Sequence, residues 1–356
     1  MHLVSQQDFR DRLRQLPLLD VDRLEGHRQI RLAHLQVVTL VSGYIWCKGD
    51  QDVPRVLPRN LAVPFYKLNK KLGLTPGVGP HVAVALCNYK QRDMSLALSS
   101  DNMDMLHFKF VKDYGNDWFF LVTIQVELEF AAAVLPLRNA ILAASTEDLQ
   151  SLCQHLHEVD NVIKNMEHAL SRMSEKLKPD VFFNKFRFYL AGTTAGKYDQ
   201  WGGIILEGIS DRPFKLTGGS AAQAAPIQCL DALLQVEHEP KSRDFLLEMR
   251  HYMLPDHRRF IEEIEKTSRV RQVVLEHNVE HPELKYAFDQ CLKAMVSFRN
   301  RHIQVVTKYI IQPKSNQNVE RNSHTYETLN EVGTGGTGIM PFLKSVRDAT
   351  KECVLD

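Results

Sequence analysis

The chain carries almost no excess charge of either sign. Its 44 lysines and arginines stand against 43 aspartates and glutamates, so nothing electrostatic points to nucleic acid or an anionic membrane as a partner. It has no C-x-x-C pair either. The six cysteines, at 47, 87, 153, 229, 291 and 353, are scattered. That spacing excludes a zinc finger, a thioredoxin-like motif and covalent attachment of a c-type haem, and it fits a reducing, cytoplasmic setting. The opening MHLVSQQDFRDRLRQ lacks the apolar core of a signal peptide. The longest apolar run, Trp118 to Leu137, contains Glu127 and Glu129, which makes it too polar to be expected in a bilayer. G-x-S-x-G, H-E-x-x-H and G-x-x-x-x-G-K-[ST] are all absent, so the common hydrolase and nucleotide-binding signatures do not compete.

What is present is helical periodicity. Cys291, Met295, Phe298, His302, Val305 and Tyr309 recur every three or four residues, placing them on one face of a helix running from Cys291 to Pro313. Leu149, Leu152, Leu156, Val159, Ile163, Met166, Leu170 and Met173 keep the same spacing, with Ser145 and Asp148 ahead of them as a capping box and Pro179 as the expected stop. That run is short for a coiled coil and is expected to pack inside a bundle. Gln7 to Trp46 reads as helical. Trp118 to Pro136 reads as a long buried helix, Phe182 to Leu190 as an aromatic-rich helix, and Gly203 to Leu206 as part of a short hairpin. Further helices are expected from Ile227, over Arg243 to Tyr252 and His257 to Thr267, and from Phe342. The fold class is therefore all-α. A small helical domain, 1–105, precedes a large helical domain, 106–356, and the polar, glycine-rich stretch 314–338 reads as a mobile loop.

Three patterns bear on chemistry. His302 sits in the middle of an apolar stripe with Arg299 one turn before it. Two readings fit: a core histidine hydrogen-bonded to a carbonyl, or a haem iron ligand with a cation placed for a propionate. Arg187 lies among Phe182, Phe183, Phe186 and Phe188. Such a charge needs a partner, either an internal salt bridge or a ligand carboxylate. Residues 333–338 match G-x-G-x-x-G, but no buried strand precedes them and no βαβ unit can follow before the chain ends. They read better as a lid whose glycines let backbone approach a ligand. Cys153, His155 and His157 alternate, and residues two apart on a helix cannot share an ion. His251 and His257, on either side of Pro255, read as surface residues.

Taken together, MVSFRNRHIQVVTKYIIQP (295–313) and GTGGTGIMPFLKSVR (333–347) resemble the C-terminal signature of the indoleamine 2,3-dioxygenases. VLPRNLAVP (56–64), FFLV (119–122), FFNKFRFYLAG (182–192) and GGSAAQ (218–223) resemble further blocks of that family in the same order. The resemblance spans nearly the whole chain, and its start is shorter than in typical members.

The resemblance implies one b-type haem per chain in an all-helical large domain, with the small domain over its distal side. By position, His302 resembles the iron ligand, Arg299 the residue that binds a haem propionate, and Asp231 its acidic partner. Phe119, Thr123, Phe182, Phe183, Arg187 and His81 resemble the substrate-pocket residues, Arg187 holding a carboxylate. Gly218, Gly219, Ser220 and Ala221 resemble the backbone lining of the distal pocket, and Thr334 resembles the lid threonine. Thr123 replaces a serine of the best-known members, His81 a tyrosine and Ala191 a serine, as in the slower second branch. The implied function is insertion of O2 across the indole C2–C3 bond of L-tryptophan to give N-formylkynurenine, the first step of the kynurenine pathway. The implied setting is a cytoplasmic monomer with an electron donor that keeps iron ferrous. An oxygen-binding, myoglobin-like protein on the same scaffold is the alternative.

Overall fold

The computed structural model describes residues 8–50, 52–313 and 338–355. Its architecture is all-α with three short strand pairs. The first segment holds α1 (Phe9–Arg14), α2 (His27–Trp46), α3 (Arg59–Leu72) and α4 (His81–Val84). The single helical stretch expected from Gln7 to Trp46 is broken between α1 and α2. Pro17 has no amide to continue the ladder, and Gly26 takes a φ of 75°, open chiefly to glycine.

α5 (Tyr114–Ala131) and α6 (Val134–Ser145) replace the one helix expected to reach Pro136. Pro136 instead lies in the first turn of α6, where its missing N–H costs little. Tyr114–Ser145 is long and apolar enough to cross a bilayer by length and composition, contrary to the expectation drawn from its two glutamates. Here it serves the interior: Trp118, Phe120, Leu121, Val122 and Ile124 of α5 are core residues.

α7 (Leu149–Ser171) is the bundle's central helix, packed on α5 and α6. Its cap is Asp148, whose carboxylate accepts the Ser151 N–H at 3.1 Å. Ser145 belongs to the end of α6. The helix stops at Ser171, before the short α8 (Met173–Lys176), and Pro179 opens the next turn rather than closing this one.

Phe182 to Leu190 is helical but not α-helical. Val181–Phe186 forms a wide π turn and Arg187–Leu190 a tight 3-10 turn. The Arg187 N–H bonds to the Phe182 carbonyl, the i→i+5 contact of a π turn. The wider turn brings residues 182 and 187 closer to one side than would an α-helix, which sets them about 140° apart.

After α9 (Lys197–Trp201) the chain returns to the first segment. Ile205–Leu206 pairs in parallel with Val56–Leu57, and Thr217–Gly218 pairs in parallel with Gly77–Val78. The expected hairpin at 203–206 is thus a seam to a distant strand. Its local partner is limited to one bridge between Ile204 and Phe214. Tyr89–Gln91 and Met103–Met105 form an antiparallel pair.

α10 (Ala225–Leu234), α11 (Pro240–Arg250), α12 (Pro255–Thr267) and α13 (Val270–His277) lead into α14 (Pro282–Val306). α14 begins at Pro282 rather than Cys291 and continues through a π turn, Thr307–Ile311. α15 (Ile339–Glu352) is longer than the helix expected from Phe342, and it packs on α14. Cys291, Met295 and Phe298 of α14 enter a core that extends from Phe9 to Cys353 through both segments. All six cysteines are free.

Candidate functional site

α5, α14, α15 and the 218–224 segment line a chamber of two adjoining lobes, of about 230 Å³ and about 190 Å³. Phe119, Leu190, Gly219, Ser220, Ala221 and His302 border both lobes. The larger lobe adds His81, Thr123, Glu127, Asp231 and Arg299. The smaller adds Phe182, Arg187 and Tyr309.

His302 forms no hydrogen bond among the described residues. A core histidine would have found a carbonyl; this ring faces the chamber. Burial, with a smaller push from the Arg299 charge, holds its pKa down to about 4, so the imidazole is neutral at physiological pH and its nitrogen lone pair is available. One turn away, Arg299 is anchored from two sides. Nη2 donates to Asp231 Oδ1 and Oδ2 at 2.6 and 2.7 Å, and Nη1 donates to the Val346 carbonyl of α15 at 2.5 Å. Its Nε–H is buried with no partner among the described residues. Asp231 also meets His238 Nε2 at 3.0 Å. Burial would raise the Asp231 carboxyl, but Arg299 and His238 together hold it below its ordinary value.

In the smaller lobe, Phe119 lies 5.0 Å from Phe182, centroid to centroid. Arg187 is 2% exposed. Burial pulls its pKa down to about 10, still charged at neutral pH. The π turn explains why Phe182 and Arg187 line one lobe. Phe183 does not line the chamber; its ring lies under the Arg187 guanidinium at 5.4 Å. The Tyr309 hydroxyl donates to the Leu177 carbonyl at 3.0 Å, tying the end of the α14 helix to the entry of that turn.

The roof brings together the glycines. A Cβ on Gly219 would stand 2.4 Å from the Gly79 carbonyl oxygen, so only glycine lets these two walls meet. Gly218 is a strand residue rather than a lining one, and its carbonyl accepts from Gln223 Nε2 at 3.0 Å. Gln223 Oε1 in turn accepts the His81 N–H at 3.0 Å. His81 Nε2 lies 2.7 Å from Glu127 Oε1. The Thr123 hydroxyl donates to the Phe119 carbonyl at 2.8 Å. Thr334 lies outside the described residues, as does the 314–338 loop up to residue 337.

Glu127 and His238 went unnoticed in the sequence as site residues, and Tyr309 stood there only as a member of the His302 stripe. Glu127 was weighed only as an obstacle to membrane insertion, although Phe119, Thr123 and Glu127 at i, i+4 and i+8 share a helix face. His238 and Tyr309 carry no local signal for their contacts. His155 bonds Glu158 at 2.9 Å, and among the described residues no group of three histidine, cysteine, aspartate or glutamate side chains is placed to hold a metal.

These residues fit a b-type haem. An unpartnered neutral imidazole faces an apolar-lined chamber, and the spare Nε–H of a buried guanidinium one turn away suits a carboxylate.

The indoleamine 2,3-dioxygenase family model matches residues 1–353. The chain is 36% identical to indoleamine 2,3-dioxygenase 1 of Mus musculus, over 99% of this chain and 86% of that one. It is 35% identical to indoleamine 2,3-dioxygenase 2 of Homo sapiens, over 99% and 86%. It is also 35% identical to a protein named myoglobin from Haliotis madaka, over 98% and 88%.

Proposed function

The chain belongs to the indoleamine 2,3-dioxygenase family and is an oxidoreductase of the dioxygenase class; from this we propose its reaction. Both atoms of O2 are inserted across the C2–C3 bond of L-tryptophan, giving N-formylkynurenine and opening the kynurenine pathway. The protein works as a cytoplasmic monomer with one haem b and an external electron donor. The observation that carries this reading is His302, a neutral imidazole facing an apolar chamber beside the Arg299–Asp231 pair.

When bound, the haem supplies the ferrous iron that activates O2. The chain's own residues do the rest. His302 holds the iron, and Arg299, oriented by Asp231, holds a propionate. Phe119 and Phe182 pack the indole, and Arg187 receives the amino-acid carboxylate as a charge-assisted, bidentate partner. Orientation of this kind converts an encounter into an effectively unimolecular step. The Thr123 hydroxyl proton is committed to the Phe119 carbonyl. His81 Nε2 is committed to Glu127. No general base is assigned.

A second reading, reversible O2 carriage, is favoured by the similarity to the Haliotis madaka protein named myoglobin. Carriage requires no cation within an apolar chamber, yet Arg187 lines the smaller lobe.

The test is anaerobic reduction of the haem-loaded protein followed by 18O2 and L-tryptophan. The expected product is N-formylkynurenine carrying two labelled oxygens. Reversible oxygenation without product would select the carrier. His302→Ala should lose the Soret band; full haem retention by that variant would overturn the ligand assignment.

A further inference from the structure

We propose that Tyr309 is a positioning residue for Phe182: it fixes the aromatic wall of the smaller lobe to the helix that carries His302. The proposal rests on the reading of Phe182 as the wall that packs the substrate indole.

Tyr309 lies seven residues beyond His302, where α14 runs on into the π turn Thr307–Ile311. It borders the smaller lobe together with His302 and Phe182. Only 2% of the residue is exposed, so its hydroxyl needs a partner inside the protein. It finds the Leu177 carbonyl at 3.0 Å and, more weakly, the Met173 carbonyl at 3.4 Å.

Those carbonyls stand at a corner of the chain. Met173 opens α8, and Leu177 leaves it in extended backbone, with φ −95° and ψ 126°. From there the chain enters the π turn Val181–Phe186. Tyr309 also meets that turn through its ring, which stands edge-on to Phe182 at 6.0 Å. Phe119 of α5 and Phe186 of the turn itself flank Phe182 as well, at 5.0 and 5.1 Å. Tyr309 adds to this packing a hydrogen bond, which sets distance and direction more sharply than ring contacts do.

The expected consequence is preorganisation. If the corner loosens, Phe182 gains positions that binding must then take away. The substrate has to supply what the hydroxyl supplied before. Affinity then falls about fivefold, the worth of one neutral hydrogen bond.

The experiment compares full-length, haem-loaded variants by equilibrium titration with L-tryptophan, by steady-state kcat and KM, and by thermal unfolding. Tyr309→Phe removes the hydroxyl and keeps the ring. Its dissociation constant and KM for L-tryptophan should rise about fivefold, with the Soret band unchanged. Tyr198→Phe is the structural control. Its hydroxyl donates to the Pro54 carbonyl at 2.9 Å, and its buried ring packs on Trp46 and Trp201 rather than on the chamber. That variant should lose a similar amount of Tm and keep wild-type affinity. Para-aminophenylalanine in place of Tyr309 restores a donor and should return the affinity; it also serves if Tyr309→Phe folds poorly. In a Phe182→Leu background, Tyr309→Phe should cost little further affinity. A Tyr309→Phe variant that loses Tm as the control does, yet keeps wild-type affinity and KM, overturns the proposal. Losses additive with those of Phe182→Leu overturn it too. Wild-type affinity in Phe182→Leu alone instead removes the reading of Phe182 beneath it.

Discussion

His81 Nε2 and Glu127 Oε1 lie 2.7 Å apart, and this contact joins α4 to α5 across the chamber roof. The two side chains are 7% and 15% exposed, so little solvent screens them. Glu127→Gln keeps the shape and removes the charge. It should cost about 1 kcal/mol, read as a fall of about 2 °C in Tm. In a double-mutant cycle with His81→Phe the coupling should be of similar size. Additive losses would show that the pair does not join the two walls.

His34 gives a pH-dependent prediction. Burial, opposed in part by its contact with Asn69 Oδ1 at 3.2 Å, pushes its pKa down to about 4. An unfolded histidine titrates near 6.5. Between those values the unfolded chain holds the extra proton, and stability falls as pH falls. At pH 5 the loss relative to pH 8 is about 2 kcal/mol. His34→Gln should lose about that much less over the same interval in urea unfolding. Parallel losses in both proteins would place the acid sensitivity elsewhere.

Arg299 and Asp231 separate stability from function. Asp231→Asn leaves a buried guanidinium without its counter-charge and should cost about 3 kcal/mol. Replacing both, as Asp231→Leu with Arg299→Met, should recover most of that loss in the haem-free protein, since a buried pair is about as stable as its apolar substitute. The double variant should still release haem far faster than wild type. Wild-type haem retention in it would remove the anchor role.

Arg187→Gln should weaken L-tryptophan binding about ten- to a hundredfold, the range of a hydrogen bond to a charged group. Its Soret band should be unchanged. Loss of haem from this variant would contradict the carboxylate role.

The sequence itself carried the helical faces, because backbone geometry dictates where residues three and four apart must point. That is why His302 and Arg299 could be placed one turn apart and why Asp148 was legible as a cap. The π turn escaped, since its aromatic sequence looks the same in an α-helix, yet that turn sets Phe182 and Arg187 in one lobe. Phe183 and Gly218 were placed in the site and lie outside its lining, because neighbouring residues in a turn or strand face different ways.

By itself, the sequence determined an all-α chain with an imidazole on an apolar stripe. An imidazole on such a stripe has one local signature whether it meets a carbonyl or a chamber, so the tertiary structure alone decided between them. Asp231 reaches Arg299 from 68 residues away and Glu127 reaches His81 from 46. Those pairings depend on how helices pack, which local periodicity does not encode. His238 belongs to the same category: its meaning comes from the buried carboxylate it touches, and that carboxylate's charge is set by Arg299 from another helix.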